Sequence, residues 1–276
     1  MTSTTDAGRA SFTLEKFAEH SFYHDVNRRL VALTRLAKGQ RVVDLGAGTG
    51  AVTKLIAEEV ANGNAEVIAI EPSESALEIA RRSLEDFRGA VVRFIQGGAQ
   101  ILTQLVEKPV DAVFFCNAIH LVEEKDHVLH EILETLSDDG TFSFNTSFYL
   151  GAEPPEAELF YRRWMMKALR VLKKEYGLSP DKTRVEARHR LTEEEYMTLL
   201  TSNGFKARDK EVVTVQVPLS GFEAISEYHL WIEGVLPGVP LAAGAHALTK
   251  AARLTFEELD VTEVPRNWLL VVADRA

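Results

Sequence analysis

The chain has a single cysteine, Cys116, so no internal disulfide can form, and the apolar run around it marks a buried structural thiol. It has no stretch of 18 apolar residues, and therefore no segment suited to cross a membrane as a helix. It is short of cations: 31 Lys and Arg stand against 41 Asp and Glu, a net charge of −10 that repels phosphate backbones. The basic groups Arg81–Arg82, Arg162–Arg163 and Ala187 to Arg190 are short and flanked by acids, so neither a nucleic acid nor a membrane is expected as partner. No zinc-ligand spacing occurs, and no metal is expected. The opening residues MTSTTDAGRASF are polar and lack the pattern of a signal peptide, which makes the cytoplasm the expected location. Repeats and low-complexity segments are also lacking. What remains, 276 residues at 46% hydrophobic and 26% charged, describes an ordinary globular protein of one or two domains.

The most informative segment is Arg41 to Gly50, RVVDLGAGTG, an apolar run ending in an acid that feeds into Gly46, Gly48 and Gly50. Glycines at alternate positions permit positive φ and let a ligand lie against the main chain. AVTKLIAEEV follows with apolar residues at helical spacing, so the turn opens a helix whose free N–H groups are expected to face the ligand. Gly50 is followed by Ala51 and Val52, without the Lys and Ser or Thr of a P-loop, and the GxGxG spelling departs from the GxGxxG of dinucleotide sites. A second apolar run, AEVIAIEPS, ends in Glu71, about 20 residues beyond the loop, the offset of a ribose-binding acid. Pro72 then starts a helix expected over Ser73 to Phe87.

The loop with Asp44, followed by Glu71-Pro72-Ser73, resembles motif I and the adenosine-side motif of the class I S-adenosylmethionine-dependent methyltransferases. The resemblance covers about Arg41 to Thr146, Leu191 to Val217 and the final strand. It implies a loop, Gly46, Ala47, Gly48 and Gly50, wrapped around the methionine half of S-adenosyl-L-methionine, with Asp44 near the ammonium and Glu71 on the ribose. Members often carry an Asp after the third strand that holds the adenine amine; here the run is QGGAQ, so Gly98 lacks that contact, and Gln100 or the backbone of Gly98 and Ala99 takes its place. CNAIHLV resembles motif IV, which places Asn117 and His120 beside the methyl donor.

Strands are expected near Arg41 to Leu45, Glu66 to Ile70, Val91 to Ile95, Val110 to Cys116 and Thr141 to Ser147, with helices between them. Such alternation requires an α/β fold with a mostly parallel sheet covered by helices on both faces; the family resemblance implies seven strands, the last antiparallel, in a Rossmann-like arrangement. Residues 1–40 read as an N-terminal helical segment that closes over the pocket, with a helix from Ser21 to Ala37. The core comprises 41–150, 191–217 and 264–276, and the excursions 151–190 and 218–263 read as helical cap insertions for substrate. LTEEEYMTLLTSNGF restarts the core with Thr192 as N-cap, and EVVTVQV and RNWLLVVA supply the last two strands.

These readings lead to methyl transfer onto a small, hydrophobic metabolite or natural product. His120 is the candidate catalytic residue: a neutral imidazole can take a proton from a phenol or hydroxyl, which favours oxygen as acceptor atom. The alternative is that His120 caps or packs. Tyr23, His24, Tyr149, Tyr161, Trp164 and His229, with His20 and Trp231, are candidates for substrate contact, each with core packing as the competing role. Two other functions remain open at this stage, a scaffold that binds S-adenosylmethionine without transferring its methyl and an NAD-dependent oxidoreductase. The oligomeric state is left open.

Overall fold

A computed structural model describes residues 12–181 and 190–276. The polar opening segment and the basic run through His189 lie outside the described residues. Seven strands form one sheet in the order β3-β2-β1-β4-β5-β7-β6. They are β1 Arg41–Leu45, β2 Glu66–Glu71, β3 Val91–Gln96, β4 Val110–Cys116, β5 Leu136–Thr146, β6 Phe205–Pro218 and β7 Glu263–Arg275. The pairs β1–β2, β1–β4, β2–β3 and β4–β5 are parallel, and β7 runs antiparallel to β5. Val42 to Leu45 in β1, Val67 to Ile70 in β2 and Ala112 to Cys116 in β4 are buried at every position, the mark of strands covered on both faces. Edge strand β3 alternates with exposed positions instead.

Several boundaries differ from the sequence expectation for local reasons. The first long helix stops at Thr34 instead of Ala37, because Arg35 takes a left-handed φ of 59°. Ser73 caps its helix by accepting from the Ala76 amide at 3.3 Å, so the helix runs Glu74–Ser83 and ends short of Phe87. β5 starts at Leu136, not Thr141: a register shift between the Val110–Leu136 and Ala112–Thr141 pairs carries the polar Ser137–Gly140 stretch into the strand. β6 begins at Phe205, and the charged Lys206, Arg208, Asp209 and Lys210 conceal that start.

The chain divides into two compact units. His24–Leu150, Arg190–Val213 and Trp268–Ala276 hold the parallel strands and the helices Ala51–Val60, Glu74–Ser83, Lys125–Thr135 and Glu193–Ser202. The last of these has a full capping box between Thr192 and Glu195. The described residues of the other unit are 12–23, 151–181 and 214–267. It is helical, built on Glu158–Val171, Leu219–Ser226, His229–Val235 and Leu241–Leu259, around an aromatic core. There Phe160 and Phe222 lie 4.8 Å apart and Trp164 stacks on Trp231 at 5.7 Å. Rings of this size in contact contribute about 0.5–1.5 kcal/mol per pair beyond their burial.

Candidate functional site

The strand order reverses between β1 and β4, and ligands of such sheets bind beyond the carboxyl ends at that point. Asp44, in register with Ala69 of β2 and Phe114 of β4, sits there and is only 1% exposed. The Thr53 hydroxyl donates to its Oδ2 at 2.6 Å, and the Thr53 backbone adds a second bond. Burial, assisted by repulsion from Glu71, nevertheless pushes the Asp44 carboxyl up to about 7. No cation among the described residues offsets that burial.

Glu71 closes β2 and ties two segments together. Its Oε2 accepts from the Gly48 amide and its Oε1 from the Ser73 amide, each at 3.0 Å. The glycine turn between them has φ of 68° at Gly46, 54° at Gly48 and 86° at Gly50, a conformation that side chains with a Cβ rarely adopt. A Cβ on Gly48 would meet nothing within 4 Å and so would project into open space, whereas a Cβ on Gly50 would come within 2.9 Å of the Ala80 Cβ. Gly50 therefore also lets the helix Glu74–Ser83 approach, a packing role the motif does not reveal.

The amides of the loop itself are taken up. Gly46 and Ala47 both donate to the Ile70 carbonyl, at 2.8 and 3.0 Å, and Gly50 donates to Ala47 at 2.9 Å. With Gly48 on Glu71, four amides of the turn are taken up inside the protein. The turn thus offers two acids and few donors, which suits a cation with hydroxyl groups and opposes a pyrophosphate.

Beyond β3 the chain is extended at Gly98, with φ −107°, and Ala99–Ile101 makes one tight turn. Gln100 Oε1 lies 2.7 Å from the point a Cβ on Gly98 would occupy, so the Gln100 amide fills the place of the absent side chain. His127 Nε2 holds the Gln100 carbonyl at 3.0 Å. The Pro72 carbonyl accepts from Gln96 Nε2 at 3.1 Å.

At the exit of β4, Asn117 takes φ 53°, and its Oδ1 accepts from the Ser147 amide at 3.0 Å. Asn145 Nδ2 in turn donates to Asn27 Oδ1 at 2.8 Å. Asn117 therefore ties the ends of β4 and β5 together. Cys116 beside it is buried; burial and then the Asp44 charge push its thiol well up, which leaves it inert.

His120 lies on the turn Ile119–Leu121 and is buried. Its ring stacks on Phe148 at 4.4 Å with 16° between planes, and Nδ1 lies 3.3 Å from the Thr146 hydroxyl. Thr146 Oγ1 also accepts from the Phe148 amide at 3.0 Å and is bonded to the hydroxyl of Tyr196. Thr53, Thr146, Phe148 and Tyr196 were not among the sequence candidates. Thr53 had a signal, three residues into the helix after the last loop glycine; Thr146 and Phe148 meet His120, and Tyr196 meets Thr146, only through the folding of the sheet.

Of the substrate candidates, His24 and the buried Tyr149 belong to the sheet unit. Tyr23, Tyr161, Trp164 and His229 belong to the helical one. Trp164 donates its indole N–H to the Leu248 carbonyl at 2.9 Å, and His229 Nδ1 donates to Phe12 at 2.8 Å. Tyr23 meets Phe17 edge-on at 5.7 Å, and the Arg266 guanidinium lies 5.3 Å from the Tyr161 ring centre. Among the described residues no group of three His, Cys, Asp or Glu is placed to hold a metal, and no helix is long and apolar enough to cross a membrane.

Residues 36–204 match the family described as methyltransferase domain. A ubiquinone/menaquinone biosynthesis C-methyltransferase of Legionella pneumophila is 26% identical over 136 residues, 48% of this chain and 54% of that protein. A probable cobalt-precorrin-6B C(15)-methyltransferase (decarboxylating) of Sulfurisphaera tokodaii is 35% identical over 97 residues, 34% and 50% of the two chains. The chain thus spans about half the length of these curated relatives. In three dimensions the fold is similar to a mycolic acid cyclopropane synthase solved with S-adenosylhomocysteine, at a TM-score of 0.56 and 12% identity over 92% of this chain and 84% of that one.

Proposed function

The chain belongs to the class I S-adenosylmethionine-dependent methyltransferases, and from that premise we propose that it methylates a small, hydrophobic metabolite or natural product at oxygen. The observation that carries the site assignment is the buried, raised Asp44 carboxylate next to Glu71, above a turn whose amides are already bonded. A ligand with an ammonium group and a diol answers both acids. S-adenosylmethionine supplies, when bound, an electrophilic methyl on a sulfonium.

Asp44 receives the ammonium, and Glu71, whose carboxylate oxygens each have a second lone pair, accepts the ribose hydroxyls. Gly46, Ala47, Gly48 and Gly50 shape the turn against the ligand. Pro72, Gly98, Ala99 and Gln100 form the adenine side, and Asn117 sets the chain beneath the methyl donor. His120 takes the acceptor's proton at Nε2 while Thr146 holds Nδ1. The Thr146 hydroxyl has one hydrogen, so it either donates to His120 or accepts from it. Only when Nδ1–H donates to Thr146 is Nε2 left as the base.

Calorimetry tests the cofactor assignment: S-adenosylmethionine and S-adenosylhomocysteine are expected to bind and NAD is not. Transfer from methyl-labelled cofactor to an extract of small phenols and hydroxy compounds tests the rest, because the carbon-13 shift of the product separates an O-methyl from a C-methyl group. A C-methyl product overturns the oxygen assignment, and with it the role of His120 as base.

A further inference from the structure

The helix Glu158–Val171 and the wider turn Leu172–Tyr176 that extends it bury one face, Phe160, Tyr161, Trp164, Ala168, Val171 and Leu172, in the helical unit. The opposite face is not simply polar. Leu159 is 42% exposed, Met166 46%, Leu169 45% and Tyr176 43%. These are four of the nine large apolar side chains exposed among the described residues, gathered within 18 positions. Single exposed apolar residues are ordinary, but such a cluster marks an interaction surface.

Charge gives the face its second property. From Glu158 to Tyr176 the sequence has six cations against two acids, in a chain of net charge −10. Arg163 and Lys167 both pair with Glu258. Arg162, Arg170, Lys173 and Lys174 enter no ion pair among the described residues. At about 100° per residue Leu159 and Met166 fall within about 20° of each other, with Arg162 and Leu169 to one side and Arg170 to the other. An apolar ridge flanked by long cationic side chains has the make-up of a helix lying in a bilayer interface, its apolar ridge among acyl chains and its cations at the headgroups.

We propose that this face docks the protein on an anionic phospholipid surface. The lack of a spanning segment bears on crossing a bilayer and not on lying against one. The ridge decides for lipid over nucleic acid: a phosphate backbone matches the cations but leaves Leu159, Met166 and Leu169 without an apolar partner. The inference is independent of which acceptor the enzyme methylates.

Co-sedimentation of the full chain with phosphatidylcholine vesicles, with and without phosphatidylglycerol, tests it. Pelleting is expected only with phosphatidylglycerol and should weaken as salt rises. At about fivefold in affinity per cation near the surface, Arg162→Gln/Arg170→Gln/Lys173→Gln should bind about 100-fold more weakly. Leu159→Gln/Met166→Gln should also weaken binding with every charge kept. Unchanged circular dichroism and S-adenosylhomocysteine affinity in both variants show that the fold is intact; a further set, Arg162→Lys/Arg170→Lys, should retain binding. The proposal fails if wild-type protein ignores phosphatidylglycerol vesicles, or if the glutamine variants bind them normally. It fails equally if single-stranded RNA binds more tightly than the vesicles. A wild-type dimer that Leu159→Gln/Met166→Gln converts to monomer overturns it too, because a second copy then covers the face.

Discussion

Asp44 is a carboxylate the fold keeps in an unfavourable place. Its ordinary value is near 4, and it stands at about 7 because burial penalises its charge and Glu71 adds to the penalty. The sign follows from proton binding. Below about pH 4 both states hold the proton; between about 4 and 7 only the folded state does, so stability falls as pH rises and levels off above 7, in total by about 4 kcal/mol. Asp44→Asn keeps an acceptor for Thr53 and removes the charge. In thermal unfolding without ligand it should melt higher than wild type at pH 8, with the gap closing toward pH 5, while losing cofactor affinity. A variant that melts lower at pH 8 means the charge is compensated. The offset alone singled out Glu71 as a candidate ligand contact. Its bonds to Gly48 and Ser73 were not legible, because they depend on how two loops meet. Glu71→Gln should reduce affinity by about 10- to 150-fold, the worth of hydrogen bonds to a charged acceptor, and unchanged calorimetric affinity removes the ribose role. His120 is balanced between two roles by Thr146. A base contributes about 100- to 10,000-fold, so His120→Ala should cut kcat on the true acceptor with little effect on cofactor affinity, and the wild-type rate should fall as the imidazole takes its proton. Loss of thermal stability with an unaltered pH profile shows a packing residue instead.

At the scale of elements, the glycine turn was legible in spelling and position, since Gly46, Gly48 and Gly50 follow a buried strand and precede a helix. Where its amides point was hidden: the acceptor for two of them is the carbonyl of Ile70, in a different strand. The three glycines also differ in consequence. A side chain at Gly48 enters open space, so Gly48→Val should keep the overall fold, with some loss of Tm from its φ of 54°, and block the ligand, with circular dichroism near normal and calorimetric binding lost. Gly50→Ala instead collides with Ala80 and should cost stability as well. Normal binding by the valine variant places the cradle elsewhere. The same distinction explains the boundary errors in the sheet. Buried β1, β2 and β4 announce themselves by apolar runs, whereas Ser137 to Gly140 and the start of β6 at Lys206 to Lys210 are mostly polar and carry no such signal.

For the whole molecule, the alternation of strands and helices was visible because its period changes every ten residues or so, and the two excursions were visible because that alternation stops. The bonds of Trp164 and His229 to the carbonyls of Leu248 and Phe12 were not visible, since an aromatic residue in a helical pattern reads alike in a core and in a pocket. What couples the site to the stability of the chain is charge. A ligand present at about 100 times its dissociation constant stabilises the folded state by about 2.7 kcal/mol, which corresponds to a rise in Tm of about 5–10 °C for a protein of this size. If the ammonium lies on Asp44, binding requires the carboxylate, and the apparent affinity should fall about tenfold from pH 8 to pH 6 as that group takes up its proton at about 7. At one fixed ligand concentration the Tm rise should therefore be smaller at pH 6. S-adenosylhomocysteine keeps the ammonium and lacks the sulfonium, so it should show the same slope as S-adenosylmethionine. Asp44→Asn should bind both weakly with no slope between pH 6 and 8. Wild-type affinities that are flat over this range separate Asp44 from the ammonium, whatever else the turn binds.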